Sequence, residues 1–286
     1  MSTNETDKTK VSPGLRSGAL VAVPLLVLLG LGFVLFGRNA EGPASGPATV
    51  AALAQGSSQF SEDQKRGIEA IIKNYLVTNP EIFLEVQSAL EAKMAKEESE
   101  KTKALVAEHG KEIYRAAGAP VAGNPDGDIT VVEFFDYNCG YCKRGFGDIA
   151  KLVETDKNVR VVFKEFPILR DESEQASKVA LAAQMQGKYW EVHRALINSK
   201  GLVNEAVALK AAEGLGLDMV KLKADMASPA VKAELDRVKE LAKTLSINGT
   251  PHFLVGDRAI GGAPENLYEL LESHVTDLRK TGCNYC

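Results

Sequence analysis

Apolar positions change their period along the chain, and each change marks a different kind of structure. Between Ser17 and Gly37 no charge occurs, and ALVAVPLLVLLGLGFVLF is apolar nearly throughout. A run of about 20 residues rising 1.5 Å each spans a hydrocarbon core of roughly 30 Å. Residues 18–37 therefore read as a transmembrane anchor. Lys8, Lys10 and Arg16 precede it and only Arg38 follows closely, which places residues 1–17 in the cytoplasm and the remainder outside. A cleaved signal peptide is the rival reading; its apolar region is shorter, about 7–15 residues, with a small-residue site close behind. Either reading exports the bulk of the chain.

Residues 38–58 are rich in Gly, Pro, Ala and Ser and read as a flexible linker. A helical period then begins, with apolar residues at 68, 71, 72, 75 and 76, and again at 82, 83, 86, 90 and 94. Ser61 and Gln64 have capping-box spacing. Asn79-Pro80 divides the two helices, with Pro80 suited to the first turn of the second. Two short amphipathic helices bury little alone, so this stripe needs a partner: the main domain or another copy of the chain. Residues 91–103 are charged on nearly every side and read as a solvated helical connector. Gly, Pro and Asn break structure across 115–128.

The period changes again at ITVVEFF, 129–135, a continuous β-branched and aromatic run suited to a strand covered on both faces. CGYCKRGFGDIAKLVE follows as a helix opening at or near Cys139, then VRVVFKEFPI as a second buried strand. Residues 171–246 read as several amphipathic helices, PHFLVGDRAIGG as a hairpin turning at Gly256-Asp257, and PENLYELLESHVTDLRK as a closing helix with Pro264 at its start. The order predicts an α/β domain with a mixed sheet over 115–280, preceded by a helical segment at 59–114 and followed by a short tail at 281–286.

Composition changes this picture little. The chain has 286 residues, 45% hydrophobic and 25% charged, with net charge −4, which gives no sign of a nucleic-acid binder. The cysteines matter more: there are four, as two C-x-x-C pairs, Cys139/Cys142 and Cys283/Cys286. A metal clamp at the first pair needs two further convergent ligands, and His109, His193, His252 and His274 are scattered. A structural disulfide across two residues closes too small a loop to gain much. A helix N-terminus, by contrast, offers unpaired N–H groups and about half a positive charge, which stabilise a thiolate. Cys139 thus reads as an exposed, attacking sulfur and Cys142, one turn inside, as the resolving thiol. Glu133 lies on a buried strand, where a carboxyl's pKa rises; an ion pair with Lys164 is its structural alternative. Tyr189, Trp190 and His193 read as packing of the helical block. The strand side of His252 stays open. The tail CNYC reads first as a second disulfide, with a thiol shuttle or a soft Cu(I) site as alternatives. No cofactor is called for.

VVEFFDYNCGYCK, INGTPHFLVG and YWEVHRALI, in this order, resemble DsbA-like thiol–disulfide oxidoreductases of bacterial cell envelopes, a thioredoxin fold with a helical insertion. The segment from Phe60 with YLVTNPEIF is similar to the N-terminal helical domain of ScsC-type and Com1-like proteins. The resemblance covers about residues 60–280. It implies an acid at Glu133 that relays the resolving thiol's proton, a cis peptide at Pro251, and Thr250 backbone groups that meet an extended substrate. It further implies a homo-oligomer, trimer or dimer, built through 60–114. Exported cysteine-containing proteins are the implied substrates, with a redox partner in the membrane. The expected place is the bacterial inner membrane, single-pass, with the catalytic domain in the periplasm. Gly140-Tyr141 matches the dipeptide of envelope isomerases, so a disulfide isomerase or reductase leads; a thiol oxidase and a copper-binding envelope protein of a copper-tolerance system are the alternatives.

Overall fold

In a computed structural model, residues 60–286 are described. The expected cytoplasmic tail at 1–17, anchor at 18–37 and linker at 38–58 lie outside the described residues. Among the described residues, no helix is long and apolar enough to cross a membrane. The chain divides into two units at Tyr75/Leu76.

Helix α1, Glu62–Thr78, opens with the reciprocal bonds its sequence calls for: Ser61 N–H donates to Gln64 Oε1 at 2.8 Å, and Gln64 N–H to Ser61 Oγ at 3.3 Å. None of its residues is buried, and Ile68, Ile71 and Ile72 are exposed. Helix α2, Glu81–Arg115, is one continuous element of 35 residues rather than a short helix and a connector. Its charged middle stays helical because Glu, Lys and Ala are strong helix formers. Phe83, Leu84, Val86, Leu90 and Met94 on its first half are exposed, whereas Val106, Ile113 and Tyr114 near its end are buried in a core cluster against the sheet.

That sheet has five strands in the order β1-β3-β2-β4-β5. Strands β2, Ile129–Phe135, and β3, Val159–Glu165, run parallel at its centre, every residue buried. Strands β4, His252–Val255, and β5, Arg258–Gly261, form the hairpin, with β4 antiparallel to β2. Strand β1, Val121–Gly123, pairs antiparallel with β3 and was not legible in the 115–128 stretch, where three residues of Val, Ala and Gly carry no period. One face of the sheet is covered by α3, Gly140–Thr155, by the helical insertion, and by the closing helix Leu267–Thr281. The insertion comprises α4, Asp171–Gln184, α5, Tyr189–Ile197, α6, Glu205–Gly214, and α7, Met219–Met226. The other face is covered by the end of α2 and by α8, Pro229–Thr244.

Alternation along the strands fixes which residues share a face. Val131, Phe135, Phe163 and Phe253 lie in the core cluster that contains both Cys139 and Cys142. Val132, Phe134, Val162 and Leu254 lie in the opposite cluster. His252 has the parity of Leu254, away from the cysteines.

Candidate active site

The first C-x-x-C sits where β2 hands over to α3. Cys139 is the N-cap of α3, with extended backbone at φ −80° and ψ 116°, and its sulfur accepts the Cys142 N–H at 3.4 Å. The approach is held by Asp136. Its backbone oxygen accepts the Cys139 N–H at 3.0 Å, its Oδ1 accepts from Asn138 N–H at 2.7 Å, and its Oδ2 accepts from Ile168 and Leu169 N–H at 3.0 Å each. Asn138 reaches the insertion: its side chain donates to Ser173 Oγ and Val203 O at 3.0 Å each and accepts from Val203 N–H at 2.8 Å. Lys143 Nζ donates to Ser199 O at 2.7 Å and Gly201 O at 3.1 Å. The insertion is thus tied to both ends of the dithiol turn.

Cys139 and Cys142 are free thiols. Cys139 is only 6% exposed rather than exposed, because the Thr250 carbonyl lies 3.2 Å from its sulfur; Cys142 is fully enclosed. The Thr250–Pro251 peptide is cis. The two thiols are pushed apart electrostatically. Cys139 is lowered to about 5, chiefly by the bond from the Cys142 side chain, against burial; the Thr250 side chain and the Cys142 and Tyr141 N–H groups add to it. Burial, the bond to Cys139 and the charge of Glu133 push the Cys142 thiol far up. The Thr250 hydroxyl is buried and has no partner in this thiol state. Tyr141, by contrast, is 58% exposed under the Arg144 guanidinium, and Gly140 has open space around it.

Glu133 is 3% exposed and pushed up to about 8, first by burial and then by the charges of Cys139 and Glu165. The expected ion pair with Lys164 does not form. Glu133 is in register with Phe163, and Phe134 with Lys164, so the carboxyl and the ammonium leave the sheet on opposite faces. Lys164 instead donates to the Glu112 backbone oxygen at 3.0 Å, and burial lowers it to about 8.

Several residues went unnoticed in the sequence. Asp136 and Asn138 are turn-forming types directly ahead of Cys139, a signal available in DYNC. Glu165 is a single acid closing a buried strand, the same signal that singled out Glu133. His193 is 1% exposed among Phe135, Tyr137, Phe163, Tyr189 and Trp190, so it does pack the helical block, and its Nδ1 also lies 3.1 Å from the Tyr137 hydroxyl.

The tail reads as its first expectation had it: Cys283 and Cys286 form a disulfide. Cys286 O accepts from Thr130 Oγ1 at 3.2 Å and from the Arg115 guanidinium. Thr130 and Phe135 are separated by about 17 Å of strand, so this disulfide sits at the far end of β2 from Cys139. A direct shuttle between the two pairs is thereby ruled out in this arrangement. Among the described residues no group of three or more His, Cys, Asp or Glu side chains is placed to hold a metal.

A parallel β-α-β unit with a dithiol capping its helix, an acid behind it and an X-Pro loop across it defines a thiol–disulfide oxidoreductase of thioredoxin fold. The DsbA-like thioredoxin domain matches residues 130–274, and the chain belongs to that family. The copper resistance protein ScsC N-terminal domain matches residues 64–97. A thioredoxin-like oxidoreductase from Silicibacter pomeroyi is 44% identical, with TM-score 0.57, covering 59% of this chain and 97% of that one. ScsC of Proteus mirabilis in a transitional conformation is 28% identical, with TM-score 0.57, covering 78% of this chain and all of that one. A curated relative, the Na⁺/H⁺ antiporter NhaA 3 of Salinispora tropica, is 30% identical over 152 residues, 52% of this chain. The chain spans only 23% of that relative's length.

Proposed function

We propose that the protein is a membrane-tethered periplasmic disulfide isomerase or reductase that works through Cys139 and Cys142. The observation that carries the chemistry is the opposed acidity of the two thiols: Cys139 is lowered to about 5, and Cys142 is driven up inside the core. The Cys139 thiolate attacks one sulfur of a client disulfide, forms a mixed disulfide and releases the other client sulfur as thiolate. Isomerisation follows when another client thiolate attacks the bonded client sulfur and frees Cys139. Reduction follows when Cys142 gives up its proton and attacks Cys139, leaving an enzyme disulfide and a client thiol. Glu133 exchanges that proton with Cys142, as base in this direction and as acid in the reverse one. The Thr250–Pro251 loop covers Cys139 and offers backbone groups to an extended client segment.

The isomerase reading draws on two supports. The Gly140-Tyr141 dipeptide is one. The other is the apolar exposure of α1 and of the start of α2, where Ile71 is 70% and Phe83 60% exposed, within the segment that matches the ScsC N-terminal domain. Association of copies through residues 60–114, as a dimer or trimer, covers that surface and sets several dithiols around one client. Placement at the inner membrane rests on the uncharged run at 18–37. A copper-binding role has less behind it, because the tail thiols are joined to each other. The deciding experiment traps free thiols in cells with acid and an alkylating reagent. A Cys139/Cys142 pair held reduced supports the isomerase; a pair held as disulfide makes the protein a thiol oxidase instead.

A further inference from the structure

Behind the dithiol lies a second buried acid that the exchange steps above do not use. Glu165 closes β3 and is 1% exposed. Its Oε1 accepts from the Tyr137 hydroxyl at 2.9 Å and the Tyr189 hydroxyl at 2.8 Å, and its Oε2 accepts from Ser177 Oγ at 2.7 Å. These donors come from the loop after β2, from α5 and from α4. Three hydroxyl protons aimed at one carboxyl satisfy a carboxylate; a neutral acid would have to give its own proton to one of them and turn that hydroxyl away.

We propose that Glu165 is a positioning residue for the dithiol chemistry: its carboxylate, fixed by Tyr137, Tyr189 and Ser177, raises the proton affinity of Glu133, so that the proton leaving Cys142 goes to Glu133 and not to Glu165. This rests on the reading of Glu133 as the proton partner of Cys142. The register supports the pairing. Glu133 is opposite Phe163, and Phe135 is opposite Glu165, so the two carboxyls leave the same sheet face from adjacent strands. Two buried carboxyls that feel each other's charge resist ionising together. The groups facing each acid decide where the proton goes. Burial pushes Glu165 up to about 8, level with Glu133, and the distant Asp136 carboxylate adds to it; the three hydroxyl donors pull the other way, and only Glu165 has them. Around Glu133 stand Cys139 and Cys142 from α3, Glu165 from β3 and Tyr137 from the loop, while its β4 neighbour Phe253 brings no charge. The hydroxyls favour charge on Glu165; the Cys139 thiolate and Glu165 itself disfavour it on Glu133.

His193 reports which acid is charged. Its Nδ1 lies 3.1 Å from the Tyr137 hydroxyl, and its Nε2 is buried without a partner. With Glu165 ionised, Tyr137 spends its proton on Glu165 and accepts one from His193 Nδ1–H. With Glu165 neutral and Tyr137 turned, Tyr137 donates to Nδ1, and His193 carries its proton on Nε2. Burial keeps the ring neutral in either case, lowering it to about 3.

The test is site-resolved carbon and nitrogen NMR on the reduced full chain, titrated with pH. Glu165→Gln removes the charge and is expected to lower the Glu133 midpoint by about one unit or more. Tyr137→Phe removes one donor, weakens the Glu165 charge and is expected to lower the same midpoint by less. In the unsubstituted protein His193 is expected as the Nδ1–H tautomer near neutral pH. A Glu133 midpoint unmoved by both substitutions, or an Nε2–H His193, overturns the role of Glu165. If Glu165→Gln does not fold, Tyr137→Phe and the tautomer decide. Exchange rate against pH in Glu133→Gln tests the underlying reading separately: an unchanged profile there removes Glu133 from the mechanism, whatever Glu165 does.

Discussion

The Cys139 thiol donates to the Thr250 backbone oxygen across 3.2 Å, while the hydroxyl of the same Thr250 has no partner. A thiolate cannot donate, so ionisation breaks the first contact and gives the idle hydroxyl an acceptor. Thr250→Val keeps the carbonyl and the shape but removes that donor. A hydrogen bond worth about 1 kcal/mol corresponds to roughly 0.7 of a pKa unit. Cys139 alkylation about a unit below its pKa of about 5 is therefore expected to slow about fivefold, with little change above neutral pH. Equal rates at both ends would remove Thr250 from thiolate stabilisation.

The lowered Cys139 thiol also makes stability depend on redox state and pH. A group whose folded pKa is depressed stabilises the fold above its unfolded pKa and loses that contribution as pH falls through the folded value. For Cys139 the window runs from the ordinary thiol range near 9 down to about 5. Only the reduced protein has this thiolate; Glu133 and Glu165 belong to both forms, with Glu133 raised by the thiolate's charge in the reduced form alone. The stability of the reduced form relative to the disulfide form is thus expected to decline steadily across that window. Denaturant midpoints of both forms at several pH values measure it, and parallel pH profiles would contradict it.

Much of this was written in the residues. ITVVEFF and VRVVFKEFPI had to be buried strands because nothing in them tolerates water on either face, and a dithiol between strand and helix left redox chemistry as the economical reading. Ser61 and Gln64 announced the start of α1. What could not be read depended on register and on distant partners. Glu133 and Lys164 looked like neighbours on adjacent strands, yet an offset of one residue sends them to opposite faces. Cys139 looked exposed because a helix start is exposed; the loop that covers it comes from residue 250. The hydroxyl cluster on Glu165 joins four elements and leaves no local pattern.

The tail offers a mechanical test. A Cβ on Gly110 would lie 2.4 Å from the Tyr285 ring, and the Tyr285 hydroxyl donates to Ala107 O at 3.1 Å. Gly110→Ala gains up to about 1 kcal/mol of helix propensity. It also evicts an aromatic ring that is 36% exposed, so only part of the roughly 1.5–3 kcal/mol of a full burial is lost, along with the hydroxyl's bond to Ala107. These losses outweigh the propensity gain by no more than about 1 kcal/mol, with faster amide exchange expected at 283–286. A stabilised variant with an unchanged tail would show that Tyr285 contributes nothing there.

Association through α1 and α2 predicts that Ile71→Glu together with Phe83→Glu yields a monomer by light scattering. The same change should abolish refolding of scrambled disulfides while leaving Cys139 alkylation intact. A monomeric unsubstituted protein would leave Gly140-Tyr141 as the isomerase's only support.

The most direct measurement of the opposed thiols is alkylation of the reduced protein against pH, with each modified cysteine assigned by mass spectrometry. Cys139 is expected to react first, with an apparent pKa near 5, and Cys142 to stay unmodified while the fold holds. Faster reaction at Cys142, or a Cys139 midpoint at the ordinary value of about 8.5, would contradict the account.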